Sequence, residues 1–141
     1  MNRELILAEW RRGLEALHAA ELLSAEGWYA DSISRAYYAT LHATKAALLV
    51  LDVAPESHAA ARRLFGLHLI QTGAVEREWA AVLAHTLDDR LAADYDVEIS
   101  FSREEAREEC GRAKSFQKRM RQYLISQGYK SSELRLKRSK A

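Results

Sequence analysis

Residues that break helices are scarce in this chain, and that scarcity constrains its fold more than any other feature. The chain has one proline and six glycines in 141 residues, and these two residue types interrupt helices most strongly. Between them, apolar residues recur every three or four positions, which is the period of an amphipathic helix. The sequence therefore predicts long helices.

Five helical segments follow from this period and from local start and stop signals. We expect them at about residues 2–24, 29–50, 57–71, 76–93 and 102–127. Ser57 has the form of a helix N-cap, Ser102 with Glu105 the form of a capping box, and Gly27 and Gly128 are typical helix ends. Because the connections are short, we expect an all-α, up-and-down bundle of four to five helices.

The carboxyl-terminal thirty residues are strongly basic. Residues 112–141 hold ten Lys and Arg against one acid, Glu133, whereas the other 111 residues hold 11 basic and 19 acidic side chains. The net charge of +1 therefore conceals a positive end and a negative body. We expect a helical domain over residues 1–128 and a flexible basic tail over 129–141, which is either an arm for nucleic acid or a solvated surface.

Cysteine content and hydropathy indicate a cytoplasmic protein. Cys110 is the single cysteine and cannot form an internal disulfide, and residues 1–10 do not resemble a signal peptide. The longest apolar stretch, residues 46–53, is interrupted by Asp52 and is far shorter than the ~20 residues that cross a bilayer. We expect no membrane association.

The predicted second helix carries a polar stripe. Arg35 and His42 are seven positions apart, so they share a helix face with Tyr38 between them, and Asp31 lies one turn before Arg35. In one interpretation Asp31 pairs with Arg35 and the stripe is structural. In the other, arginine binds phosphate, histidine transfers a proton and tyrosine stacks on a base.

A second polar cluster closes the predicted fourth helix. Arg90 and Asp94 are one turn apart and can form an ion pair, and Tyr95 follows directly. If this cluster packs beside Arg35 and His42, the combined set of charges is costly to keep without a ligand, which favours a functional site.

No metal or cofactor site is predicted. The five histidines are scattered without cysteine partners or an HExxH motif. Glu15 and His18 form one Glu-x-x-His, but di-metal bundles need a second copy on another helix. Glycine-rich phosphate loops are also absent from the sequence.

The run SRAYYATLHA at residues 34–43 resembles the signature of the HEPN superfamily of small helical domains. Further pieces agree with that family in order and spacing: Ser57-His58 followed by Phe65, Gly73-Ala-Val75, and Arg90-Leu-Ala-Ala-Asp94-Tyr95. The resemblance covers roughly residues 12–125 and is to stand-alone prokaryotic HEPN proteins.

This resemblance implies a helical bundle that forms a homodimer with its functional groups near the dimer cleft. It also implies a minimal nucleotidyltransferase as partner protein, in a two-gene module of toxin-antitoxin type. Many HEPN proteins are metal-independent endoribonucleases with an Arg-x4–6-His motif late in the bundle. Here the positions after Arg90 where that histidine would fall are Tyr95, Asp96 and Val97, although Arg35 and His42 have the same spacing on another helix.

Three hypotheses follow. In the first, the protein is a nucleotide- or RNA-binding dimer whose binding residues are Arg35, Tyr38, His42, Arg90, Asp94 and Tyr95. In the second, it is an endoribonuclease toxin with His42 as general acid/base and Arg35 or Arg90 stabilising the charged phosphorane. In the third, it is a non-catalytic assembly adaptor. A solvent-open stripe favours the first two hypotheses, and a closed, self-paired stripe favours the third.

Overall fold

The structure is a computed structural model that describes residues 2–137. Its five α-helices confirm the predicted all-α bundle, and residues 2–137 contain no strand. A π-helical turn, Gly66–Ile70, extends α3, and a 3-10 turn, Ser131–Leu134, follows α5. The helices are α1 (Arg3–Glu26), α2 (Tyr29–Leu49), α3 (His58–Phe65), α4 (Glu78–Tyr95) and α5 (Arg103–Ser126).

The predicted caps set the helix boundaries. Ser57 accepts a hydrogen bond from the Ala60 amide, and Ser102 forms the expected capping box with Glu105. Gly27 ends α1 with a φ of 92°, a left-handed conformation that favours glycine. The expected single helix over 57–71 is instead a short α-helix continued by the π-helical turn.

Helix α2 lies at the centre of the bundle and packs against α1, α4 and α5. Its buried face is rich in alanine, which lets neighbouring helices approach closely. The nearest approach is at Gly13 of α1, where an added Cβ would lie 3.2 Å from the Ala39 carbonyl oxygen. Gln117 of α5 also bonds to this junction, donating to the Gly13 carbonyl at 2.7 Å.

The main hydrophobic core lies towards the carboxyl-terminal end of α2, at residues 43–48. It is built from large side chains of every helix, among them Ile6, Trp10, Leu83, Phe65 and Phe116. None of the helices within residues 2–137 is long and apolar enough to cross a bilayer.

The beginning of the expected tail is part of this core. Tyr129 and Leu134 are each 2% exposed, and Trp10 donates its indole N–H to the Leu134 carbonyl at 3.0 Å. Glu133 pairs with Arg3 of α1. Residues 129–134 therefore fold back onto the bundle instead of forming an arm, while residues 138–141 of the expected tail lie outside the described residues.

Candidate functional site

An open groove runs between α1 and α2 along the predicted polar stripe. It encloses about 380 Å³. Ala16 and Ala19 of α1 have small side chains, which leave room for the groove. The polar stripe of α2 is therefore open to solvent. The groove is lined by Arg12, Glu15, Ala16, Ala19, Arg35, Tyr38 and His42.

Arg35 and Arg12 are the two cations of this groove, and both are exposed. Arg35 is the one that belongs to the predicted stripe. The Arg35 side chain forms no hydrogen bond or ion pair within residues 2–137, so the Asp31–Arg35 pair of the structural interpretation does not form. Both residues instead line a second groove of about 500 Å³, together with Tyr38 and Asp94. Arg35 and Tyr38 are therefore shared by two adjoining grooves.

The cluster on α4 joins the stripe through Arg90. The Arg90 Nε lies 2.8 Å from Asp94 Oδ2, and Nη2 donates to the Tyr38 hydroxyl at 3.0 Å. The guanidinium also lies 5.5–5.8 Å from the ring centres of Tyr37, Tyr38 and Tyr95. The two clusters of the sequence thus form one continuous polar region.

His42 is held by a partner that the sequence analysis missed. Its Nδ1 lies 2.6 Å from the Glu9 carboxylate of α1. This hydrogen bond lowers the pKa of Glu9, more than burial raises it. Glu9 therefore stays ionised and orients the imidazole, whose other nitrogen is not engaged by any residue in 2–137.

His58, at the start of α3, is a second residue that sequence reasoning did not assign to the site. Its Nδ1 lies 2.6 Å from the Tyr37 hydroxyl, and the two rings stack with their centres 5.4 Å apart. Burial lowers the pKa of His58, and the charges of Arg90 and Lys45 lower it further. Burial raises the pKa of Tyr37 to about 12. At neutral pH the Tyr37 hydroxyl therefore donates to a neutral imidazole.

Two of the predicted residues differ in how far they are buried. Arg90 has 14% of its side chain exposed, whereas Tyr95, one turn on, is 71% exposed and ends the helix.

Several other large apolar side chains are exposed in the turn after α1 and in the linker after α4, namely Trp28, Val97 and Ile99. Since Asp94 lines a groove with Leu23 and Asp31, these segments lie at the same end of the bundle.

A third set of polar residues lies between α4 and α5, away from the stripe. Ligand-capable atoms of His85, Asp89 and Glu109 lie within 4.8 Å of one another. Glu109 is 1% exposed. Burial raises its pKa to about 7, and the nearby Asp89 adds to the shift. The sequence analysis did not find this group because its members are 24 positions apart and match no motif.

Comparisons with known proteins agree with the architecture. The family described as HEPN domain matches residues 7–123. A protein named UPF0332 protein, from Pyrococcus horikoshii, is 45% identical over 76 residues, which is 54% of each chain. Two proteins of Methanocaldococcus jannaschii, both named "putative toxin", are 34% identical over 68% of this chain and 72% of the relative, and 29% identical over 94% and 96%. The match thus spans about half of the first relative's length and most of the other two.

Proposed function

This chain belongs to the HEPN domain family, and from that premise we propose that it binds a nucleotide or an RNA strand in the groove between α1 and α2. The observation that carries the proposal is Arg35, an exposed arginine without a partner in residues 2–137, beside Tyr38 in an open groove. A guanidinium presents a planar fork of donors that matches a phosphate. An adjacent tyrosine ring offers a stacking surface for an unpaired base.

Arg90 and Asp94 prepare this surface. The Arg90 hydrogen bond to the Tyr38 hydroxyl fixes the ring that stacks on the base, and Asp94 holds Arg90 in place. Arg90 keeps its Nη1 donors for a phosphate oxygen. Tyr95, which is exposed beside Arg90, supplies a second stacking surface.

Fluorescence anisotropy with a labelled single-stranded RNA tests the proposal. Arg35→Ala should weaken binding roughly 10- to 100-fold, since a hydrogen bond to a charged group is worth about 1.5–3 kcal/mol. Arg63→Ala is the matched control, because Arg63 is an exposed arginine of α3 that lines neither groove. Equal affinities for the wild type and Arg35→Ala would contradict the proposal.

The second candidate function is endoribonuclease activity, and the His42–Glu9 pair favours it. A carboxylate that accepts from Nδ1 leaves Nε2 as the basic nitrogen, as in other acid–base dyads. In this function His42 Nε2 takes the proton of the 2′-hydroxyl, whose oxygen then bonds to the adjacent phosphorus while Arg35 stabilises the charged phosphorane. The bond from phosphorus to the 5′-oxygen breaks, and the leaving oxygen takes a proton from water. The open stripe speaks against the third hypothesis, a purely structural adaptor, because its arginine is not self-paired.

We further propose a toxin-like role, a homodimer and a nucleotidyltransferase partner. Two relatives bear the name "putative toxin", and the exposed apolar side chains Trp28, Val97 and Ile99 are a suitable contact surface. Light scattering should give twice the 16.0 kDa chain mass, and one chain mass would contradict the dimer. The genes beside this one should include a small nucleotidyltransferase.

A further inference from the structure

Three ligand-capable side chains meet between α4 and α5. His85 and Asp89 are four positions apart and share one face of α4, where His85 Nε2 lies 3.0 Å from Asp89 Oδ2. Glu109 of α5 faces them, with Oε1 3.5 Å from the same His85 nitrogen. This region contains none of the residues that line the groove between α1 and α2.

Glu109 is the unusual member of this group. It is 1% exposed, and although Arg112 donates to its Oε1 at 2.6 Å, its Oε2 is buried and accepts no hydrogen bond from any donor within residues 2–137. The side chain nearby that raises its pKa is another carboxylate, Asp89. A buried carboxylate oxygen without a partner costs free energy, and native proteins rarely keep one without a reason.

We infer that His85, Asp89 and Glu109 form a binding site for one divalent transition-metal ion, with Zn²⁺ as the representative case. This inference runs against the expectation, drawn from scattered histidines, that the protein has no metal site. It does not depend on the proposed RNA-binding groove.

The ligand set and its spacing fit this class of ion. One imidazole nitrogen and two carboxylate oxygens suit Zn²⁺ or Mn²⁺ better than Mg²⁺, which prefers oxygen ligands and water. With bonds of about 2.0–2.1 Å, the ligand atoms of a tetrahedral site lie about 3.3 Å apart. The distances of 3.0 and 3.5 Å from His85 bracket that value.

The surroundings leave room for the remaining coordination positions and for small adjustments. The side chains of His85 and Asp89 are 49% and 33% exposed, so both can move and water can complete the shell. The Glu109 carboxylate would supply the buried anchor. Because the ligands come from α4 and α5, a bound ion would link these two helices and stabilise the fold.

Calorimetric titration with Zn²⁺ and with Mn²⁺, on full-length protein dialysed free of metal, tests the inference. We expect one ion per chain and a higher Tm in its presence, because a ligand that binds only the folded state stabilises it. Glu109→Gln and His85→Ala should each weaken binding at least tenfold and abolish the rise in Tm. His85 is exposed, so its variant should fold even if the Glu109 variant does not.

His18→Ala is the matched control. His18 is another exposed helical histidine, three positions from a glutamate, and its replacement should leave the affinity and the Tm shift unchanged. The inference is overturned if the wild type binds no ion, if Glu109→Gln and His85→Ala both bind as tightly as the wild type, or if His18→Ala lowers the affinity as much as His85→Ala.

Discussion

Arg90 donates a hydrogen bond to the Tyr38 hydroxyl across 3.0 Å, and this contact joins two helices whose polar clusters are far apart in the sequence. Tyr38 lines both grooves that contain Arg35. The two arginines therefore act on the same ring. Arg35 lines the open grooves together with Tyr38, and Arg90 bonds to the Tyr38 hydroxyl. We therefore expect the affinity of a ligand that binds beside Tyr38 to depend on both arginines.

The first prediction concerns the coupling of these arginines. Arg35→Ala and Arg90→Ala should each weaken RNA binding, and the double variant should lose less than the sum of the single losses, because both act at one site. Anisotropy titrations of the four proteins measure the coupling. Strictly additive losses would show that the two positions belong to unrelated surfaces.

The second prediction concerns His58. Its pKa should lie below the ordinary value of about 6.5, because the half-buried imidazole is hard to charge and Arg90 and Lys45 are nearby. Arg90→Ala should raise this pKa towards 6.5, whereas Arg35→Ala should not change it. An NMR titration of the ring protons measures both. A His58 pKa at or above 6.5 in the wild type would contradict a neutral imidazole at this position.

The same shift gives His58 a defined effect on stability. A base whose pKa is lower in the folded than in the unfolded state binds fewer protons when folded. The contribution of His58 to the free energy of unfolding is therefore present above the unfolded-state pKa near 6.5. It is lost as the pH falls below that value towards the folded-state pKa. His58→Gln should flatten this part of the pH dependence of the free energy of unfolding.

Local signals predicted the helix ends well. Ser57 and Ser102 accept hydrogen bonds from amides three positions on, and the left-handed φ at Gly27 reflects its lack of a side chain. Such contacts depend only on neighbours along the chain, so spacing alone reveals them. The same is true of the Arg90–Asp94 pair, whose members are one turn apart.

Contacts between distant residues could not be predicted in this way. Glu9 and His42 are 33 positions apart, and their contact depends on how α1 crosses α2. One interpretation of the sequence paired Asp31 with Arg35, but both side chains line an open groove instead. Tyr129 was assigned to the tail because the segment is basic, yet burying its ring outweighs that local composition.

The third prediction concerns residues 129–141, called the basic end below. It separates the stabilising role of their buried side chains from any role of their basic side chains. Deleting residues 129–141 should destabilise the protein by about 1.5–3 kcal/mol for each of the two buried side chains, Tyr129 and Leu134. Replacing only the basic residues that follow should leave the free energy of unfolding unchanged. Those residues are Arg135, Lys137, Arg138 and Lys140. Urea denaturation of the two variants measures the difference.

If these basic residues reach a nucleic acid, their replacement should flatten the salt dependence of RNA binding. Each lost phosphate contact should reduce the log–log slope by roughly 0.7 on a single strand. Equal slopes for the wild type and the charge variant would show that the basic end does not bind RNA.

The fourth prediction applies to the enzymatic candidate. His42→Ala should abolish cleavage of RNA in the presence of EDTA while the far-UV circular dichroism stays unchanged, because a general acid/base is removed and the fold is not. Glu9→Gln should reduce the rate less severely, since it only orients the imidazole. A wild type that leaves RNA intact, with and without its partner, would remove this candidate.

The most direct test of the RNA-binding groove is to map where RNA touches the protein. A single-stranded RNA containing 4-thiouridine, cross-linked by light and digested with trypsin, should label the peptide of residues 36–45, which carries Tyr38 and His42. Arg35→Lys would preserve the cleavage site and the charge, and should keep this label. Cross-links confined to α5 or to the basic end, with none on residues 36–45, would contradict the account.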